Sequence, residues 1–491
     1  MTRPSVTATT TPADDLGLSN PDLAPLPPER RRWTWWNYST IWMGIVHNIV
    51  AWQVAANLIA LGMSFWQALG CVCAAYGVAF AAILANSVLG ARHGVPFPVL
   101  VRAPFGYSAA QIPVFLRAFV AVFWFAVHIY IGSKAIGAVL SVAIPHYRAL
   151  GHHHVLGMGV DVLIAFVICW LVHAYIVGHG IDTVRKFEVW AGPSIMVLAI
   201  GLVIWAASAA GGLGPLTNGP STIAPGAFWS TFFLSMSALL GTVATLVLNI
   251  ADMTRFARSQ RDQAIGQGIG FPVMFFLFSA MGLLAAEGTR VAFGTVITNP
   301  IDILTRFGNP VVAVLGAACV LVATASVNVA TNGVSAGFDL TNLAPRLLNF
   351  RRSGMLAVIA AVVFAPWLWY DESGAISDIL GAIGATMGPV TGIMLADFYL
   401  IRHRRYDVAA LYSRDPADPY TYVRGWNPVA LIAFALGVLV ALSGLFVPPL
   451  KPLYNYNWFL GVAVGALVHV AGTALSGQTL RRRQVIVSSR S

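Results

Sequence analysis

The chain has 491 residues, 57% of them hydrophobic and 10% charged, with a formal net charge of +10. A soluble domain carries roughly a quarter charged residues, so this composition excludes an ordinary water-soluble enzyme or binding module and directs attention to the bilayer. The positive charge needs no nucleic acid as partner: it is the sum of arginines on inner loops, which also meet anionic lipid headgroups.

Residues 1–35 hold Thr, Pro and Asp in a run ending Glu29-Arg30-Arg31-Arg32 and read as a disordered cytoplasmic arm without the apolar segment of a signal peptide. Residues 36–480 are almost continuously apolar and break into about twelve stretches, each near the ~20 residues that a helix needs to cross a membrane. The predicted spans are 36–62, 66–90, 113–142, 157–178, 186–210, 228–250, 268–290, 308–337, 353–370, 374–399, 428–447 and 455–477, followed by a basic tail at 481–491. With both ends cytoplasmic, the inner segments collect Arg92, Arg102, Arg117, Arg185, Lys186, Arg255, Arg258, Arg261, Arg351, Arg352 and Arg402 among others. The outer loops keep Arg148, Arg290, Arg306 and Lys451, as the positive-inside rule requires of a multi-pass protein of the cell membrane.

The first ten spans form two sets of five, 36–210 and 228–399, and an odd count inverts the second set relative to the first. Inverted repeats are a transporter design, in which helices broken near mid-depth offer backbone groups to ligands. The predicted fold is therefore an all-α integral membrane protein with a five-plus-five inverted repeat and two additional C-terminal helices at 428–477.

Taken in chain order, the first span places Gly44, His47 and Asn48 at mid-depth, where a lipid-facing helix would be uniformly apolar. The third has Trp124 and His128 at i and i+4, an aromatic plate beside a ring with donor and acceptor nitrogens, which suits a flat polar heterocycle. Core packing is an even alternative for Trp124, less so for His128, because intramembrane ionisable groups are usually functional. Lys134, further along, is expected to snorkel to the outer interface, the alternative being a partner inside.

Cys71, Cys73, Cys169 and Cys319 lie in apolar spans without disulfide or metal spacing, and the outer-loop triplet His152 to His154 lacks the fixed geometry of a built metal site. The sixth span carries Gly241, Thr242 and Val243 at the depth matching Gly44, so both first helices of the repeats are expected to break there; the same glycines would also serve close helix packing. Where the sixth span reaches the cytoplasm, Asp252 and Arg255 are positioned to interact, steadying a gate or capping the helix. The eighth span is the most polar: Thr324, Asn328, Thr331, Asn332 and Ser335 form a stripe that either binds neighbouring helices or lines a cavity. Asn332 has both a carbonyl and an NH2, the groups that read a lactam or ureide edge.

Three segments resemble those of the nucleobase:cation symporter family, which includes permeases for hydantoins, allantoin, uracil and cytosine. They are Asn20-Pro21-Asp22-Leu23-Ala24-Pro25-Leu26-Pro27, the first inner loop from His93 to Gly106, and Leu248-Asn249-Ile250-Ala251-Asp252-Met253-Thr254-Arg255-Phe256. The resemblance covers nearly the whole chain. It implies a leucine-transporter-type architecture working by alternating access, with Trp124 stacking on substrate, His128 where relatives carry a Gln, and Asn48 and Asn332 as polar contacts.

It also implies two departures. Val243, with Gly241 and Thr242 beside it, stands where many relatives complete an aromatic sandwich with a second Trp. A family sodium site would use carbonyls of Gly44, His47 and Ala323 and two hydroxyls, of which Ser326 supplies one while Val327 replaces the other. A hard cation wants oxygen ligands, so proton coupling through His128 or His47 is favoured over sodium.

The expected function is a symporter importing a small planar nitrogen heterocycle, a nucleobase such as uracil or a cyclic ureide such as allantoin, with no cofactor and no obligate protein partner. The rival classes are a sodium-coupled symporter of the same substrates, a passive channel, and a membrane enzyme or metal-dependent sensor. An enzyme would need paired carboxylates or a nucleophile and base at one depth, and no such pairing is evident in the sequence.

Overall fold

The computed structural model describes the backbone of residues 17–47, 49–179, 181–372 and 375–476, and the side chains of all of these except 181–193 and 377. Among the described residues the chain folds into twelve helical stretches in the predicted order, ten of them long and apolar enough to cross a membrane, or eleven when the bent first pair counts as one, with one two-stranded hairpin at His154–Val155 and Met158–Gly159.

Polar punctuation sets the helix ends. The second span, Phe65–His93, opens on Ser64, whose Oγ accepts from Gln67 N at 3.3 Å while Gln67 Oε1 accepts from Ser64 N at 3.1 Å; it closes on Gly94 at φ +71°. This reciprocal cap satisfies donors that would otherwise be orphaned, and only glycine adopts such a left-handed exit without strain. Asn309 before Pro310 and Asn427 before Pro428 start the eighth and eleventh spans in the same economical way, a side-chain acceptor followed by a residue that needs no donor.

The first span is broken. Trp35–Val46 and Ile49–Ala60 meet at 60°, with His47 at the break. The sixth is not: Phe228–Thr254 runs as one helix, which corrects the expectation of matching interruptions. Gly241 serves packing instead, since a Cβ there would lie 2.4 Å from the Leu380 carbonyl oxygen of the tenth span, Ala375–Ala396. The eighth span departs from α-helical winding in the middle: Pro310–Val327 passes into a π-helical turn at Asn328–Gly333 before Val334–Leu343 resumes. Such a turn widens the helix and is frequent at functional sites.

The spans enclose a core in which the sixth packs on the second, the seventh (Gln260–Phe293) on the first half of span one, and the third (Gln111–Ala143) on the eighth. The eleventh and twelfth spans, Pro428–Phe446 and Asn457–Leu475, pack on the tenth.

Residues 17–34 are not the disordered arm expected from their composition. Leu18 and Leu23 are buried, Arg102 Nη2 donates to Leu18 O at 2.7 Å, Arg255 donates to the carbonyls of Asp22 and Ala24 at 2.9 and 2.6 Å, and Tyr412 donates to Leu23 O at 2.7 Å. The basic residues of the inner loops therefore fold the arm down by binding its backbone. Burial pushes the Arg102 guanidinium down to about 10, with Tyr412 opposing the shift.

At the opposite end, Lys134 is partly exposed and has a partner there. Its Nζ pairs with Asp371, lies 5.1 Å above the Tyr130 ring, and faces Asp302, whose carboxyl burial holds above its usual range, against the pull of Lys134.

Candidate functional site

A narrow cavity of about 30 Å³ lies halfway along the bundle. The break in the first span opens one side of it, through Ile45, Val50 and Ala51. The third span contributes Trp124 and His128, the sixth Thr242 and Val243, and the eighth Thr331, Asn332 and Ser335. Three spans far apart in sequence thus bring Trp124, His128, Thr242, Val243 and Asn332 onto one wall system. Gly241 does not reach it, for the packing reason given above, and Asn48 lies outside the described residues.

The polar groups are oriented by their neighbours. His128 Nδ1 lies 2.8 Å from Trp124 O; a carbonyl only accepts, so Nδ1 carries the hydrogen and Nε2, buried without a partner, is left as an acceptor. Asn332 Nδ2 donates to Asn328 Oδ1 at 2.9 Å, and Asn328 Nδ2 donates to Phe125 O at 3.0 Å. That chain fixes the Asn332 amide and leaves its carbonyl oxygen and second N–H for a ligand. Trp124 and His128 rings meet edge to face at 6.1 Å, a plate and an acceptor side by side.

Residues named for a cation are near one another but short of oxygens. The eighth span packs against the first half of span one, which ends in Gly44 and the break at His47. Ser326 Oγ is buried without a partner and Ala323 is buried, while Val327, next in the chain, lines the cavity and offers no side-chain oxygen. His47 is buried with its ring 5.3 Å from Phe278 and neither nitrogen hydrogen-bonded. Among the described residues no group of three His, Cys, Asp or Glu side chains is placed to hold a metal ion, and the four cysteines are free.

Asp252 does not pair with Arg255, which is occupied by the arm. Its Oδ1 accepts from Phe97 N of the first inner loop at 2.7 Å, and its Oδ2 lies 3.8 Å from Arg117 Nη2. Arg117 also pairs with Asp339 through Nη1. Arg117, counted from sequence as a loop charge, and Asp339 were the residues missed; ionisable side chains inside a span are the signal that would have found them. Phe275, on the seventh span, and Thr245 complete the cavity and carry no sequence signal that separates them from core.

A broken helix beside an enclosed, polar-edged cavity in a bundle of membrane-spanning helices defines a membrane transporter rather than an enzyme. The fold is shared with a solved structure, Mhp1, a nucleobase-cation-symport-1 family transporter in a closed conformation with bromovinylhydantoin bound; the TM-score is 0.78 at 23% identity, covering 94% of this chain and 96% of that one. Residues 25–461 match the family model described as permease for cytosine/purines, uracil, thiamine, allantoin, and the chain belongs to that family. It is 40% identical over 456 residues to the allantoin permease of Bacillus subtilis (strain 168), covering 92% of each, and 35% identical over 435 residues to the purine-uracil permease NCS1 of Arabidopsis thaliana, covering 88% of this chain and 72% of that one.

Proposed function

We propose that this permease imports a small planar nitrogen heterocycle, a cyclic ureide such as allantoin or a nucleobase such as uracil, together with a proton. The observation that carries the reading is the pair of fixed edges on one cavity: His128 Nε2 as an acceptor for a ring N–H, and Asn332 offering its carbonyl and one N–H to the adjacent lactam or ureide edge. Trp124 stacks on the face of the ring, and Val243 leaves the opposite face without an aromatic partner.

The cycle is alternating access: the substrate binds between spans one, three, six and eight, and the repeats 36–210 and 228–399 rock against each other. The protein resides in the cell membrane with both termini cytoplasmic, supported by the arginine bias of the inner loops. Proton coupling is supported by Val327, which removes one oxygen from the site a sodium ion would need. A sodium-coupled cycle has one observation in its favour, the buried and unpartnered Ser326 hydroxyl.

Uptake of labelled allantoin, uracil, cytosine, hypoxanthine and benzyl-hydantoin into proteoliposomes under an inward proton gradient, with sodium absent, tests the reading. Accumulation that a protonophore collapses is the expected result. Accumulation only when sodium is restored overturns the coupling, and no uptake under either gradient overturns the substrate class.

A further inference from the structure

Each of three spans that wall the cavity carries one buried ionisable residue beneath it, on the cavity-facing side of the helix. On the third span Arg117 precedes Ala121, Trp124 and His128 at i, i+4, i+7 and i+11. On the sixth, Thr242 and Thr245 at the cavity are followed by Asn249 and Asp252 at the same periodicity; on the eighth, Asn332 and Ser335 are followed by Asp339. The three stripes converge: Arg117 pairs with Asp339 and lies 3.8 Å from Asp252, and all three side chains are 0% exposed.

We propose that this Arg117–Asp252–Asp339 triad is the proton-binding site of the transport cycle, with the proton held on Asp339. The inference rests on the proton-coupled reading above and names where the coupling ion sits. In a dry interior two carboxylates share the guanidinium of Arg117, and like charges sharing a site do not both ionise cheaply. Asp252 is otherwise supplied: Phe97 N donates to its Oδ1, and Arg255 acts on it from the arm side, where Asp22, Arg30 and Tyr412 are the further charged or titratable neighbours. One oxygen of each carboxylate, Asp252 Oδ2 and Asp339 Oδ1, is buried without a hydrogen-bond partner, but among the described residues Asp339 faces only Arg117 and Asp252 as charged groups and has no second cation beside it.

The triad is also wired to the substrate. With the Asn249 amide oriented to satisfy its neighbours, its carbonyl oxygen accepts from Arg117 Nη2 at 2.9 Å and from Ser335 Oγ, a cavity-lining hydroxyl, while its NH2 donates to the carbonyls of Thr245 and Leu246 at 2.8 and 3.2 Å. A ligand that engages Ser335 therefore acts on the guanidinium through one amide. In the cycle an O–H bond forms on Asp339 with a proton from the outer solution, and breaks to water on the inner side when the contact between Asp252 and the first inner loop opens. Asp339 is then anionic and paired with Arg117.

The test compares the full-length wild-type chain with Asp339→Asn in proteoliposomes, using labelled allantoin. Under an inward gradient of one pH unit, one-proton coupling sustains about tenfold accumulation in the wild type. Asp339→Asn is expected to fall to onefold, and to lose the alkalinisation of the medium that accompanies uptake, while still exchanging substrate in equilibrium counterflow, which needs no net proton movement. If Asp339→Asn does not fold, Asp252→Asn takes its place: Arg117 and Asp339 then form a neutral ion pair with no excess charge to bind a proton, and the same loss is expected. Wild-type accumulation in a folded variant overturns the inference and leaves the proposed function standing. A wild type that never accumulates under a proton gradient overturns both.

Discussion

The third span carries a cation near each end, Arg117 and Lys134, and both meet aspartates, but the two ends are built differently. The Arg117 site is wholly buried, with both carboxylates at 0% exposure, whereas Lys134 and Asp371 are 27% and 57% exposed. The outer pair is ringed by weak, replaceable contacts: Tyr130 donates to Asp371 at 2.8 Å, Tyr370 donates to Gln53 at 2.7 Å, and Lys134 lies over both tyrosine rings. A solvated pair contributes little and is easily released, while breaking a buried one leaves charge with no partner. The two ends of the third span are therefore held differently, lightly at Lys134 and firmly at Arg117.

That contrast can be broken most forcefully with Arg117→Leu, which leaves two buried carboxylates facing each other and is expected to cost about 3–5 kcal/mol of stability. Thermal unfolding in detergent measures it, and a loss as small as that of an exposed pair would mean that water already reaches the inner site. Asn249→Ala removes the amide between Ser335 and Arg117 and is expected to cost about 1–3 kcal/mol, because a buried guanidinium N–H is left unsatisfied. Tyr130→Phe deletes one half-buried hydrogen bond to Asp371 and should cost about 0.5–1.5 kcal/mol by the same measurement. Lys134→Ala has the smallest expected effect, about 0–1 kcal/mol, reproduced in the wild type by raising the salt concentration. If Lys134→Ala destabilises more than Asn249→Ala, the assignment of a firm inner and a light outer end is reversed.

The spans, the break at His47 and the shared face of Trp124 and His128 follow local rules of length, polarity at depth and helical periodicity, so they were legible in the sequence; that Asn332 meets them on one cavity was implied only by the family resemblance. The continuity of the sixth span was not: a glycine at mid-depth reports that backbone comes close, and Gly241 uses that freedom to touch Leu380 rather than to unwind. The partner of Lys134 was not legible because it lies 237 positions away. Arg117 and Arg255 were counted as loop charges because each sits near a predicted boundary, and Arg102 because it lies within the first inner loop; only the folded chain draws them beneath the surface, onto carboxylates or onto backbone carbonyls of residues 17–34. The composition of that arm was read as disorder because its partners are the main-chain acceptors it offers, which no residue type announces.

The depth of the inner triad has an electrical consequence. A site that holds one more positive charge when protonated, and that lies among spans crossing the bilayer, feels the membrane potential as well as the pH difference. One elementary charge moved across 100 mV is worth about 2.3 kcal/mol, or about fiftyfold in concentration. An uncharged heterocycle carried with that proton would be drawn inward by voltage even where the two solutions share one pH, and its uptake would register as a current.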